Sequence, residues 1–285
     1  DEYGRTEWLS AARQAGIPVV AVQHGIVHPW HPGYQHRTRP SVRAVPQRTY
    51  TFGDFERRLL LEAGEYRPDE VVVGGSPRLD LVDAAVPAAD DAAALRAELG
   101  VATDERLLVI STTFAEVFRR FYAPVALASL IGRPLDGVRV VIKLHPGEQD
   151  GELYLRLLDG LRGGGEPART DVSVVKRVDL YRLLASADAH LGLYSTVLTE
   201  AVVTGTRNLL AATQAASDLL GYVDAGVAIP VRSPEDVAAA LVLPLTDQDA
   251  AARRAFLEDH FLPGLAAERI ADDLVAWLVP GSDAG

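Results

Sequence analysis

Residues 189–206 read AHLGLYSTVLTEAVVTGT, and how this stretch is parsed decides the fold. Ala189 to Gly192 has the length and composition of a buried strand, and Thr196 to Thr204 reads as a helix closed by Gly205. A strand that feeds a helix through a turn of small and hydroxyl-bearing residues is half of a βαβ unit and predicts a parallel sheet. The junction Gly192-Leu193-Tyr194-Ser195-Thr196 is also a place for chemistry. The first turn of a helix carries N–H groups with no partner inside the helix, and the helix dipole adds partial positive charge there. Small hydroxyl residues supply further donors without blocking approach, so phosphate is the natural ligand. The plainer alternative is that Ser195 or Thr196 only caps the helix. Glu200, on the first turns, could accept hydrogen bonds from ribose hydroxyls or could be a surface carboxylate favoured by the dipole.

The same alternation continues on both sides. Downstream, Asn208 to Ala211 and Val227 to Pro230 read as strands. Ser233 caps a helix over Pro234 to Leu243 that carries proline in its first turn, and the tail is helical around 249–259 and 264–278. Upstream, strands are expected at Leu107 to Ser111, Val138 to Lys143 and Val172 to Val175. Helices are expected at Glu116 to Ile131, 151–161 and Leu180 to Ala185. Nearer the start, a helix over Glu7 to Ala15 leads to a strand at Pro18 to Gln23, then to a long loop from Gly25 to Gln47. A strand at Thr49 to Phe52, a helix at Phe55 to Ala63 capped by Asp54, and a strand at Val71 to Val73 follow. Residues 84–94 are mostly Ala, Asp and Pro and read as a linker into a helix over Ala92 to Leu99. The expected organisation is α/β. Residues 1–83 form the last part of one Rossmann-like domain, 84–94 the linker, and 95–285 a second such domain with a helical tail.

The bulk numbers restrict function. The formal net charge is -11, which repels a nucleic-acid backbone, so the cations that matter should be local. Cysteine is absent, which removes disulfides and thiolate metal sites. No apolar run is long enough to span a bilayer and no signal pattern is visible, which fits a cytoplasmic protein. The chain lacks methionine and opens on Asp1, so the expectation is either that earlier residues of the first domain lie outside it or that this domain is reduced.

Other strand ends also carry candidate residues. Lys143-Leu144-His145-Pro146 stands at the carboxyl end of a strand, where open α/β sheets bind ligands. Pro146 stiffens the turn and keeps His145 out of helical geometry. His145 could donate to a phosphate oxygen while Lys143 adds charge, or His145 could be satisfied by nearby backbone. His24, in Gln23-His24-Gly25, ends the first strand and could serve as general base toward an acceptor hydroxyl. His28, His31 and His36 follow in the loop, but no fixed ligand geometry surrounds them, and no metal is expected. In Gly74-Gly75-Ser76-Pro77-Arg78-Leu79-Asp80, the glycines would admit a ligand to the backbone and Arg78 could reach a phosphate. A tight turn into the linker is the alternative.

These pieces fall in an order that carries a resemblance. QHG at 23–25, TFGDF at 51–55, GSPRLD at 75–80, KLHP at 143–146, ASAD at 185–188 and YSTVLTEAVVTGT at 194–206 resemble the GT-B superfamily. Within it the chain is most similar to bacterial capsule and surface polysaccharide glycosyltransferases and to the teichoic-acid CDP-glycerol glycerophosphotransferases, from about Asp1 to Ile270. The resemblance implies two Rossmann-like domains facing a cleft, with a nucleotide-activated donor held mainly by the second. His145, Tyr194, Ser195 and Thr196 would contact the donor phosphates, with Lys143, Pro146, Ser76 and Arg78 in support. Glu200 would hold the ribose and His24 would be the base. No cofactor or metal would be needed, because cations, His and helix dipoles stabilise the leaving phosphate.

The expected function is transfer of a sugar from a nucleotide-activated donor to a cell-surface glycan or lipid-linked precursor, with no nucleic-acid partner. Leu193-Tyr194 stands where the glycerophosphotransferases carry an acidic residue before the Ser pair, which favours a sugar donor over CDP-glycerol. A UDP-N-acetylglucosamine 2-epimerase-like enzyme and a non-catalytic nucleotide-sugar-binding module are the other readings. Trp30 and Tyr34 in the long loop either pack locally or touch an acceptor or the inner face of the membrane.

Overall fold

The computed structural model describes residues 5–29, 34, 45–62, 64, 66–81, 89–113, 121, 123–162, 171–192, 196–212 and 218–279. The chain divides into two compact units, Asp1–Leu81 with Ala255–Gly285, and Val82–Arg254.

In the first unit, α1 (Arg5–Gln14) precedes β1 (Val20–Val22), and β2 (Arg48–Thr51), α2 (Asp54–Glu62) and β3 (Val71–Val73) follow. The strands pair in parallel in the order β1-β2-β3. Gln23 ties the strand ends together: its N–H donates to Tyr50 O, and its side-chain oxygen accepts from the Phe52 N–H at 2.9 Å.

The tail departs from the expected organisation. Sequence reading assigns it to the second domain, but α9 (Asp247–His260) ends in the first unit and α10 (Ala266–Leu278) packs wholly there. The cause lies in the GSPRLD segment. The Asp80 carboxylate accepts from the Ala266 and Ala267 N–H groups at 2.9 Å each, which caps α10. Arg269 donates to Gly74 O at 2.7 Å, and Asp273 accepts from Arg48 and from Tyr50 OH at 2.6 Å. Burial, then the bond to Asp273, pushes the Tyr50 phenol up to about 12. A Cβ on Gly74 would meet Ile270 at 2.8 Å, so this glycine admits a helix. Gly75, at φ +87, does the same against Ala266. Gly53 likewise lies against the backbone of His260.

In the second unit, α3 (Ala89–Glu98) packs Leu95 into the core, so its first residues belong to a helix where an Ala- and Asp-rich linker was expected. There follow β4 (Arg106–Ser111), α4 (Ala123–Ile131), β5 (Val138–Lys143), α5 (Glu152–Leu161), β6 (Val172–Val175), α6 (Leu180–Ala185), β7 (Ala189–Gly192), α7 (Val197–Thr204), β8 (Asn208–Ala211), β9 (Ile229–Val231) and α8 (Pro234–Val242). The described strands form one parallel sheet in the order β6-β5-β4-β7-β8-β9. β4 explains the layering. Leu108 and Ile110 join one apolar cluster with residues of α4, α5 and α8, while Leu107 and Val109 join another with Leu95 and Leu183. A continuous apolar strand is therefore covered on both faces, as parallel sheets require. At the amino edge, Asp188 of the ASAD motif accepts from the Leu107 N–H, Arg96 and Arg106. Burial raises its carboxyl, but these donors prevail and hold it below its ordinary value. No described helix is long and apolar enough to cross a membrane.

Candidate functional site

β4 stands at the centre of the second sheet. The chain winds outward from it through β5 and β6 on one side, and through β7, β8 and β9 on the other. In open α/β sheets, ligands bind at such a reversal, outside the carboxyl ends of the strands, here those of β4 and β7. Register puts Lys143, Ser111 and Gly192 abreast there, Ser111 pairing with both neighbours. At strand spacing the outer two lie roughly 10 Å apart, the scale of a diphosphate with its flanking groups.

The turn after β5 is tightly built. His145 N–H donates to Thr112 Oγ1 at 3.0 Å and to Glu148 Oε2 at 3.2 Å, and Glu148 N–H returns to His145 O at 2.9 Å. Gly147 N–H donates to His145 Nδ1 at 3.0 Å. With Nδ1 accepting, a neutral ring carries its proton on Nε2 and offers Nε2–H as a donor. Burial lowers the pKa of this imidazole, Glu148 raises it and Lys143 lowers it; the net shift is downward, which keeps the ring neutral at neutral pH. Pro146 is exposed at the tip.

Lys143 is buried, and its ammonium donates to Leu144 O at 2.7 Å. Burial, then the charge of Lys176, hold it below its ordinary value against the pull of Glu148. Lys176, just past β6, donates to Glu148 O at 2.6 Å and to Gln149 Oε1 at 3.0 Å. Two cations thus share the carboxyl ends of β5 and β6. Lys143 is legible in the sequence. Lys176 is not picked out there, although a lysine just beyond a strand's carboxyl end is the same signal. Thr112, Glu148 and Tyr154 are likewise missed, because nothing local marks them.

On the other side of β4, Thr196 is the N-cap residue of α7. It is exposed, and its side chain makes no capping bond to the helix. Tyr194 and Ser195 lie outside the described residues. Glu200 is buried in the first turns of α7, which is not the surface position weighed from sequence. The helix itself is firmly placed. Asn208 Nδ2 donates to Leu198 O at 2.7 Å, while Asn208 Oδ1 lies 2.9 Å from His190 Nδ1. His190 Nε2 in turn lies 2.9 Å from Ser111 Oγ. A Cβ on Gly192 would meet the Leu198 side chain at 2.3 Å, so the glycine makes room for Leu198 of α7 against the end of β7. Gly205, left-handed at φ 75, and the guanidinium of Arg253 on Val202 O and Val203 O close the far end.

His145, Lys143, Pro146, Thr196 and Glu200 therefore share one sheet edge in the second unit. His24, Ser76 and Arg78 belong to the first. There His24 is exposed just past β1, Ser76 is buried and Arg78 is exposed. Of the two readings weighed at Gly74-Gly75, a tight turn and a ligand approach, the second meets an obstacle: both glycines face α10. His31 and His36 lie outside the described residues.

Two parallel Rossmann-like sheets, the smaller one first, with the C-terminal helix returned to the first unit, constitute a GT-B fold. The particular likenesses are distant. MnaA of S. aureus, solved with UDP, is 14% identical with a TM-score of 0.65, over 97% of this chain and 72% of that one. HepE of Anabaena in complex with UDP is 18% identical with a TM-score of 0.59, over 97% and 77%. The wall teichoic acid polymerase TagF is 13% identical with a TM-score of 0.59, over 92% and 68%. No protein-family model and no curated protein matches the sequence.

Proposed function

We propose that this chain is a GT-B glycosyltransferase that takes a sugar from a nucleotide-activated donor and passes it to a cell-surface glycan or lipid-linked precursor, on the cytoplasmic side and without a metal or cofactor. One observation carries this: His145, Lys143 and the N-terminus of α7 stand together at the reversal point of the second sheet. The site is cationic and donor-rich within a chain of net charge -11. In the transfer, an acceptor oxygen bonds to the sugar's anomeric carbon, the bond to the donor's phosphate oxygen breaks, and the acceptor proton goes to a base. His145 Nε2–H, the two lysines, Thr196 and the α7 dipole stabilise the departing phosphate. Tyr194 and Ser195 contribute from the same junction, and Ser76 and Arg78 are the first unit's candidates for donor contact. Glu200 holds the ribose, and His24 is the candidate base. The structures solved with UDP support a nucleotide donor.

A thermal-shift series with CMP, CDP, UDP, GDP and TDP tests the reading, since a ligand of the folded state raises the melting temperature. At least one nucleotide is expected to stabilise the protein, and His145→Ala should cut its affinity tenfold or more. A variant with undiminished affinity and turnover would sink the assignment of His145. His24→Ala should lower kcat while leaving donor affinity intact. Incubation with UDP-N-acetylglucosamine alone separates the epimerase alternative, which yields a new isomer without any acceptor. Nucleotide binding with no release of nucleotide from any activated donor would favour a binding module.

A further inference from the structure

Glu148 is a buried charge at the site edge that the proposed chemistry leaves without a task; its side chain is almost wholly enclosed. A carboxylate beside a phosphate site repels the ligand, so its presence calls for a reason. Its contacts supply one. Oε2 accepts from Thr112 Oγ1, just past β4, and from the His145 N–H at 3.2 Å. Oε1 accepts from Tyr154 OH of α5 at 2.5 Å. Its own carbonyl accepts from Lys176 at 2.6 Å. One residue thereby joins the end of β4, the turn after β5, the start of α5 and the cation beyond β6.

We propose that Glu148 is the positioning residue of this anion site. Its carboxylate holds the 144–148 turn so that His145 keeps Nδ1 toward Gly147 and Nε2–H as donor, and its charge balances the Lys143–Lys176 pair before substrate arrives. This rests on the phosphate-binding reading above. The carboxylate is suited to the task because it is acceptor-only, and three donors converge on it. An amide of the same shape would turn a donor toward either Thr112 or Tyr154 and remove the counter-charge.

The sign of one effect decides the matter. If Glu148 were only a nearby negative charge, Glu148→Gln would tighten anion binding. As a positioning residue, its loss weakens binding although a repulsive charge has gone. Calorimetry with UDP and with inorganic pyrophosphate should give at least a tenfold loss of affinity in Glu148→Gln. Smaller losses are expected in Thr112→Val and Tyr154→Phe, each checked for a native melting transition. The alkaline limb of UDP binding should move to lower pH in Glu148→Gln, because Lys143 loses the neighbour that favours its charged form. Nitrogen NMR of the ligand-free protein should show one Nε2–H tautomer at His145 in the wild type and a mixture in Glu148→Gln. Unchanged or tighter binding by folded Glu148→Gln overturns the proposal. If that variant does not fold, unchanged binding by both Thr112→Val and Tyr154→Phe does so. A wild type that binds neither UDP nor pyrophosphate defeats the phosphate reading instead, and the tautomer comparison still decides the role of Glu148: an unaltered tautomer overturns it.

Discussion

His190 is fully buried between Ser111 and Asn208, and burial pulls its pKa down to about 4. The unfolded chain binds a proton near the ordinary value of 6.5 that the folded form refuses until about 4. The neutral ring's contribution is therefore complete above the unfolded value and is lost as pH falls through this window, about 3 kcal/mol in all. His190→Gln has no such titration. Between about pH 7 and pH 5 it should lose about 2 kcal/mol less stability than the wild type, measured by urea unfolding at both pH values. An equal loss in the two proteins would show that His190 is not the group responsible. Residues of this kind are the least legible in sequence. His145 and Lys143 stand out because they end an apolar run beside a proline. His190 sits inside such a run, and Glu148 meets Thr112 across 36 positions of chain, a pairing that no periodicity encodes.

Among elements, the start of α7 depends on a glycine. Gly192→Ala would drive a methyl group into the side chain of Leu198, which is buried and would have to shift. The expected cost is about 1–3 kcal/mol with weaker nucleotide binding. Adding Leu198→Ala should offset part of the strain, so the double mutant should be less destabilised than the sum of the singles. Simple additivity would mean the clash is absorbed elsewhere. Most elements of the second sheet were legible, because apolar runs of four to six residues alternate with amphipathic stretches. α3 was partly misread because its alanine-rich surface hides the single inward Leu95. The glycines at 74 and 75 were read as either a tight turn or an opening for a ligand. A helix 190 residues downstream occupies their faces, and sequence order gives no notice of such a partner.

At the scale of the whole molecule, each unit has its own parallel sheet, and only the second is built from contiguous chain. Asp80→Ala removes the cap of α10 and should cost about 1 kcal/mol. Hydrogen exchange should quicken in β1–β3 and α10 together while β4–β9 keep wild-type protection. Uniform quickening across both sheets would mean the units do not open separately. The return of α10 also sets a timetable for biogenesis. A ribosome releases β3 roughly 190 residues before the helix that seals it, a delay of about ten to forty seconds at usual elongation rates. Throughout that interval the nascent first unit exposes an unfinished sheet, while the second unit is completed within it from contiguous chain. A late segment thus completes an earlier one, and a deletion that removes α10 would leave its damage at β1–β3.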